Sequence, residues 1–304
     1  MNYKITEFDL IYLSFDEPTA EELYAELLNQ APWAKRVHGV KGFDSAHRAC
    51  ADISDTDFFV TIDGDNKVYP SFYTLEVEIK DHENNHAWTW ASRNNINGLV
   101  YGNGGIKLWS KNFVYSMNTH ENADNSASAV DFCWHSNYSE LEGCYSTSII
   151  NSSAYQAWRS GFREGVKMSL DRGQKVKHSD FLQQIWFGNI TRLLIWQSIG
   201  ADVENGIWAM LGARMGCYYV VLTDNDHTII SDYNLITELW NNTSTLDPFE
   251  ESLRIGDILY NKIGLNSSML SADNSRFFKT VYMNIPRPFL SWDRIKHFMA
   301  TNYN

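Results

Sequence analysis

Apolar positions in the first third of the chain fall in short alternating blocks. FDLIYLSF (residues 8–15) is an apolar and aromatic run broken only by Asp9 and Ser14, the pattern of a mostly buried strand. It ends in Asp16, Glu17 and Pro18. Thr19, three residues ahead of Glu22, makes a capping box, and Leu23, Tyr24, Leu27 and Leu28 supply one helical face. A short strand around Arg36 to Val40 follows, closed by Gly39 and Gly42. Asp44 is placed to cap a second helix whose Ala46, Ala49, Cys50 and Ile53 fall at helical spacing. FFVTI (58–62) then forms a third strand that runs straight into Asp63-Gly64-Asp65-Asn66. Strand, helix, strand, helix, strand predicts a parallel sheet with right-handed crossovers, and such sheets bind ligands at the carboxyl ends of their strands. Asp16 and Glu17 after the first strand, and Asp63 and Asp65 after the third, lie at that edge.

Farther along, TLEVEIK (74–80) alternates as a half-exposed strand. HAWTWASRNNINGLVYGNGGIKLWSK (86–111) reads as aromatic strands joined by a Gly- and Asn-rich connection, with GIKLW extended, and AVDFCWH (129–135) reads as another strand. After Asn151 and Ser152, two candidate caps, Tyr155, Trp158, Phe162 and Val166 recur every three or four residues. They mark an amphipathic helix that carries Arg159, Arg163, Glu164 and Lys167. From about residue 180 the pattern is mostly helical, with one strand-like run at CYYVVL (217–222). The predicted class is α/β: a mixed, Rossmann-like sheet flanked by helices, with a mainly helical C-terminal part, in a single domain.

Composition narrows the function. No stretch reaches the roughly 20 apolar residues that span a bilayer. The first residues carry no long apolar run and meet Glu7 and Asp9 early, so a cytoplasmic chain with no membrane contact is expected. Cys50, Cys133, Cys144 and Cys217 are scattered without a CxxC pair, the spacing of free thiols. A net charge of −12 weighs against nucleic acid held broadly through its phosphates, although it leaves room for a local basic cleft. The aromatic share, 14% with 11 Trp, is core mass or a supply of ring platforms for sugars or bases.

The chemistry concentrates at Asp63 and Asp65. Two carboxylates two residues apart, on a turn leaving a buried strand, reach one hard divalent cation, and Gly64 lets the backbone turn tightly beside a ligand. Mn²⁺ or Mg²⁺ there neutralises charge growing on a departing nucleotide diphosphate. An ordinary solvent-exposed turn uses the same residue types.

The segment GFDSAHRACADISDTDFFVTIDGDN resembles the core of GT-A glycosyltransferases: a helix rich in small residues, an acidic spacer, and a hydrophobic strand ending in a DxD motif. The opening YLSFDEP resembles the strand and loop where that family holds the base and ribose. PWAKRVHGVKG, SRNNINGLVYGNGGIKLWSK and NSSAYQAWRSGFREGVK are similar to glycosyltransferase-like proteins of large tailed phages, some of which glycosylate the hydroxymethylcytosine of their own DNA with glucose or arabinose. The resemblance covers roughly residues 8–170.

It implies one GT-A domain over 1–304, with a nucleotide-sugar half (1–115) and an acceptor-binding and helical half (116–304). The donor it implies is a nucleotide diphosphate sugar, UDP-linked. Asp63 and Asp65 match the metal and diphosphate motif around Gly64. Ser14, Asp16 and Glu17 match the base and ribose loop, and Asp44, His47 and Arg48 the helix flanking the nucleotide. Tyr101, Asn103, Gly104 and Gly105 match the place that shapes the sugar and acceptor pocket, with Arg93, Asn94 and Asn97 upstream. Glycines there admit a ligand close to the backbone or simply turn a hairpin. The base is expected in Asp131 or Glu164, with Arg163 beside Glu164 keeping it charged. His227 is the candidate third metal ligand. The chain departs from the family in having no clear EDD or ED motif at the expected place, which leaves the base and the stereochemistry open.

Rival readings are a glycosyltransferase on a non-DNA acceptor, a non-catalytic nucleotide-sugar-binding module and a nucleotidyltransferase. The last expects a Gly-Ser phosphate signature ahead of the aspartates, which the chain lacks. No GxxxxGK[ST] phosphate loop occurs either.

Overall fold

In the computed structural model, which describes residues 1–124 and 135–281, the chain forms two units. One comprises Met1–Asn95 and Val100–Ile149, the other Ile96–Leu99 and the chain from Ile150 onward. The first unit contains β1 (Asn2–Lys4), β2 (Asp9–Ser14), α1 (Ala20–Gln30), β3 (Lys35–His38), α2 (Phe43–Ile53), β4 (Phe58–Asp63), β5 (Asn66–Val68), β6 (Glu76–Glu78), β7 (Ala87–Asn94), β8 (Val100–Ser110), α3 (Lys111–Ser116) and β9 (Tyr138–Ser148).

Its main sheet runs β3-β2-β4-β8-β7-β9-β5. β2 lies parallel to both β3 and β4, so the opening βαβαβ pattern is formed as its periodicity predicts. β8 then pairs antiparallel to β4, and β7 antiparallel to β8. The sheet is mixed and curled. Only Gly64 and Asp65 separate β4 from β5, yet β5 pairs with β9 at the far end of the strand order.

Alternation sorts the side chains onto two cores. Leu10, Tyr12, Val60, Ile62, Ile106 and Leu108 pack with Leu23 and Leu27 of α1. Ile11, Phe59 and Trp109 pack on the opposite face with Cys50 and Ala51 of α2 and Phe113 and Val114 of α3. Phe59, Thr61 and Asp63 therefore alternate onto the α2 side of β4.

Several local expectations change. Thr19 precedes α1, but its backbone (φ −99°, ψ 6°) is not the extended one that turns an N-cap hydroxyl toward the helix, and the capping box does not form. α2 is preceded by Gly42 at φ +94°, which leaves Asp44 inside the first turn rather than at the cap. TLEVEIK contributes only β6, paired with β1 in a separate two-stranded sheet. Tyr101 to Gly105 form no turn: they lie within β8, and the chain reverses at 95–99, where Gly98 has φ +76°. Apart from His135, AVDFCWH lies outside the described residues, and Asp131 with it.

The second unit is helical: α4 (Ala154–Met168), α5 (Phe181–Gln184), α6 (Phe187–Ser198), α7 (Gly206–Val221), α8 (Tyr233–Thr243), α9 (Pro248–Ile263) and α10 (Ala272–Val281). Ser153, one residue past the expected caps, accepts from the Gln156 amide (3.1 Å) and starts α4. CYYVVL is the end of α7, not a strand. Period alone does not separate a short apolar run from a largely buried helix, and α7 has no exposed residue, only a half-buried face at Ile207, Trp208, Met215, Tyr218 and Tyr219. α4 and α7 run in the same direction in very close contact. A Cβ at Gly161 or Gly165 would strike the carbonyl of Ala209 or Ala213, and one at Gly212 or Gly216 that of Trp158 or Phe162. Among the described residues, no helix is long and apolar enough to cross a membrane.

Gly165→Val places its Cβ against the Ala213 carbonyl and adds two methyl groups at the same close contact. It should lower unfolding free energy by about 3 kcal/mol, read from the urea midpoint. A loss below about 1 kcal/mol would show that α4 and α7 separate without penalty.

Candidate functional site

The carboxyl ends of β2 and β4 bring together the loop Ser14–Glu17 and the turn Asp63-Gly64-Asp65. Tyr12 donates its hydroxyl to the Gly64 carbonyl at 2.7 Å, and the Ala20 carbonyl lies 3.0 Å away. The Glu17 carboxylate accepts from the Phe15 amide (2.8 Å) and rests against Gly64, where a Cβ would come 2.5 Å from Glu17 Oε2 and 2.9 Å from Ser14 Cβ. Residue 64 is glycine because the neighbouring loop fills the space a side chain would need. Burial raises the Tyr12 pKa, and the negative charges of Glu17 and Asp65 raise it further, so the phenol keeps its proton.

Asp63 and Asp65 are held differently. Asp63 is half exposed, and the Lys107 ammonium lies 3.5 Å from its Oδ2. Asp65 accepts from the Asn66 amide group at 2.7 Å, and its backbone carbonyl accepts from the Ile149 amide at 2.7 Å. Asn66 is buried, and its Oδ1 accepts from Ser146 (2.9 Å) and Ser92 (3.2 Å). The turn is thus anchored to β7 and β9 as well as to β2.

The α2 residues answer differently from one another. The Asp44 carboxylate is fully buried and accepts from the Thr119 amide (3.1 Å), the Thr119 hydroxyl (2.6 Å) and Asn122 Nδ2 (2.9 Å). It fastens the 119–122 segment rather than capping its own helix. Arg48 donates to the Met117 carbonyl at 3.1 Å. His47 is 3% exposed between the rings of Phe43 and Trp109. Its Nδ1 lies 2.9 Å from the Phe43 carbonyl, which only accepts, so Nδ1 carries the proton and Nε2 the lone pair. That Nε2 is buried with no hydrogen-bond partner. Burial lowers the His47 pKa to about 4.

Ser14 accepts from Arg36 Nε (3.0 Å) and lies 3.0 Å from His38 Nδ1, while Asp16 is exposed. The space beside Gly104 and Gly105 is taken by the protein itself. Backbone atoms of Trp90 and Ser92 approach Gly104, where β7 shifts register, and the Asn66 side chain lies on Gly105. Those glycines accommodate neighbouring chain rather than open a pocket. Arg93, Asn94, Tyr101 and Asn103 sit where β7 and β8 run past the residues paired with β4.

Two candidates belong to the helical unit. Glu164 Oε1 lies 3.8 Å from Lys167 Nζ. Arg163 does not serve it: the guanidinium donates to the Ile230 carbonyl (3.2 Å) and lies over Tyr233. His227 Nε2 lies 3.1 Å from the Gly173 carbonyl, which commits that nitrogen as a donor.

Among the described residues, no three His, Cys, Asp or Glu side chains gather into a set that could hold a metal. Asp63 and Asp65 are two carboxylates on one turn, the number that could hold a cation whose other ligands come from phosphate and water. Sequence reasoning missed Lys107. Its signal was a single charge inside GIKLW, in phase with the buried Trp109 and therefore pointing inward. Arg36, paired with Glu21 through two bonds (2.9 and 2.6 Å) and lying over Tyr24, was missed too.

No protein-family model matches the chain, and no curated protein matches it in sequence.

The unfolded chain protonates His47 near pH 6.5, but the folded chain only near about 4, so stability falls as pH drops through that window. Between pH 7 and pH 5, His47→Leu should lose about 2 kcal/mol less unfolding free energy than the wild type. Equal losses in urea melts at the two pH values would contradict the buried, neutral imidazole.

Proposed function

We propose that the chain is a metal-dependent GT-A glycosyltransferase that moves a sugar, of glucose or arabinose type, from a nucleotide diphosphate sugar to a hydroxyl acceptor. One observation carries this reading. The Asp63-Gly64-Asp65 turn leaves a parallel strand at its carboxyl end, pinned against the loop of the neighbouring parallel strand, where α/β sheets take ligands. Mn²⁺ or Mg²⁺, when bound, supplies the positive charge that a departing diphosphate needs. Asp63 and Asp65 hold it, and the pinned Gly64 keeps the two carboxylates in register with the Ser14–Glu17 loop.

For the acceptor we propose hydroxymethylcytosine in DNA, the group the phage resemblance implies. A net charge of −12 favours a small or protein acceptor, so a DNA acceptor requires local contacts in place of a broad positive field. The base must leave its stack to reach the donor.

Thermal unfolding of the full chain with UDP- and GDP-sugars, with and without Mn²⁺, tests the donor site. One nucleotide sugar should raise the midpoint only with metal, by the equivalent of about 2.7 kcal/mol at a hundredfold excess over Kd. Asp63→Asn and Asp65→Asn should each abolish the shift while leaving the unliganded midpoint within a few degrees. No shift with any nucleotide sugar would remove the transferase reading.

A further inference from the structure

We propose that Lys107 is a binding residue of the donor site, its ammonium receiving the donor's diphosphate beside the metal held by Asp63 and Asp65. This inference rests on the transferase reading and adds a residue to it. Lys107 stands on β8 opposite Thr61 of β4 and is 5% exposed. Its Nζ donates to the Gly104 carbonyl at 2.9 Å and lies 3.5 Å from Asp63 Oδ2. An ammonium has three N–H donors, and a charge-assisted bond is normally 2.7–2.9 Å long. Gly104 uses one donor, and Asp63 attracts the ammonium by charge without closing a short bond. Donor capacity is therefore left over on a cation almost stripped of water, directly behind a carboxylate that solvent reaches.

The charge balance points the same way. Asp63 and Asp65 together neutralise one divalent cation and leave nothing for an incoming diphosphate. With Glu17 also beside Gly64, Lys107 brings the metal-loaded set from net negative to neutral, which removes the repulsion an incoming diphosphate would otherwise meet. Asp63 and Lys107 are also among the charges that act on His47, whose partnerless Nε2 is buried on the same side of β4. That side of the sheet edge thus holds both an underused donor and an unused acceptor.

The test uses the full chain and two titrations: inorganic pyrophosphate at saturating Mg²⁺ by calorimetry, and Mn²⁺ alone by electron paramagnetic resonance. Lys107→Met should weaken pyrophosphate binding about tenfold or more. Its Mn²⁺ affinity should hold or rise, because no ammonium then competes for Asp63. Lys107→Arg should stay within about threefold of the wild type for pyrophosphate, since the guanidinium fork also grips phosphate. Lys107→Gln replaces Lys107→Met if the latter does not fold. Unchanged pyrophosphate affinity overturns the proposal, as does no binding by the wild type. Parallel losses of pyrophosphate and Mn²⁺ also overturn it, because Lys107 would then only support Asp63. Pyrophosphate binding lost with Lys107, in a chain that takes no nucleotide sugar, would remove the transferase reading, and the donor-site role with it, and leave Lys107 only as a diphosphate-binding residue. Nucleotide-sugar binding untouched by Lys107→Met would do the reverse.

Discussion

The candidate site depends on how little room there is around Gly64. The Glu17 carboxylate and the Ser14 side chain occupy the space a Cβ there would need, and the Tyr12 hydroxyl bonds its carbonyl. That close approach couples the end of β2 to the end of β4, so the two loops form one surface rather than two independent turns. The coupling continues through Asn66, whose amide group donates to Asp65 while its carbonyl oxygen takes hydroxyls from β7 and β9. The turn is thus held from both sides, by β2 and by Asn66 and Ile149.

Glycine serves the helical unit in a related way. Gly161, Gly165, Gly212 and Gly216 let α4 and α7 approach until backbone meets backbone, and Gly256 leaves room for the Arg214 guanidinium. Arg214 is buried and donates to the carbonyls of Gln197, Ser252 and Ser267, which ties α7 to α6, α9 and the segment after α9. Each carbonyl bond offsets part of the penalty for taking a cation out of water.

The parallel start of the sheet was legible because FDLIYLSF and FFVTI are mostly apolar runs separated by two clear helical patterns, and that placed Asp63 and Asp65 at a strand end. What escaped the sequence depends on distance along the chain. Asp44 has the residue type and position of a cap, yet its partners are Thr119 and Asn122, whose bonds no local pattern reports. Gly104 and Gly105 have the spacing of a ligand-approaching segment, but whether the visitor is a ligand or Asn66 is settled only by how the sheet curls. Arg163 sits next to Glu164 in sequence, but helix geometry sends adjacent residues in different directions, and Arg163 turns to Ile230. Lys107 hid for the opposite reason, as one charge in an apolar run whose inward phase becomes meaningful only once Trp109 is known to be core.

Hydrogen–deuterium exchange on the full chain, with and without Mn²⁺ and a nucleotide sugar, tests most directly whether the two coupled strand ends form the donor site. A shared donor site gives added protection in the backbone amides of residues 14–17 and 63–66 together, and only when metal and nucleotide sugar are both present. Protection confined to one of those segments, or found elsewhere while both exchange as in the free chain, would contradict it.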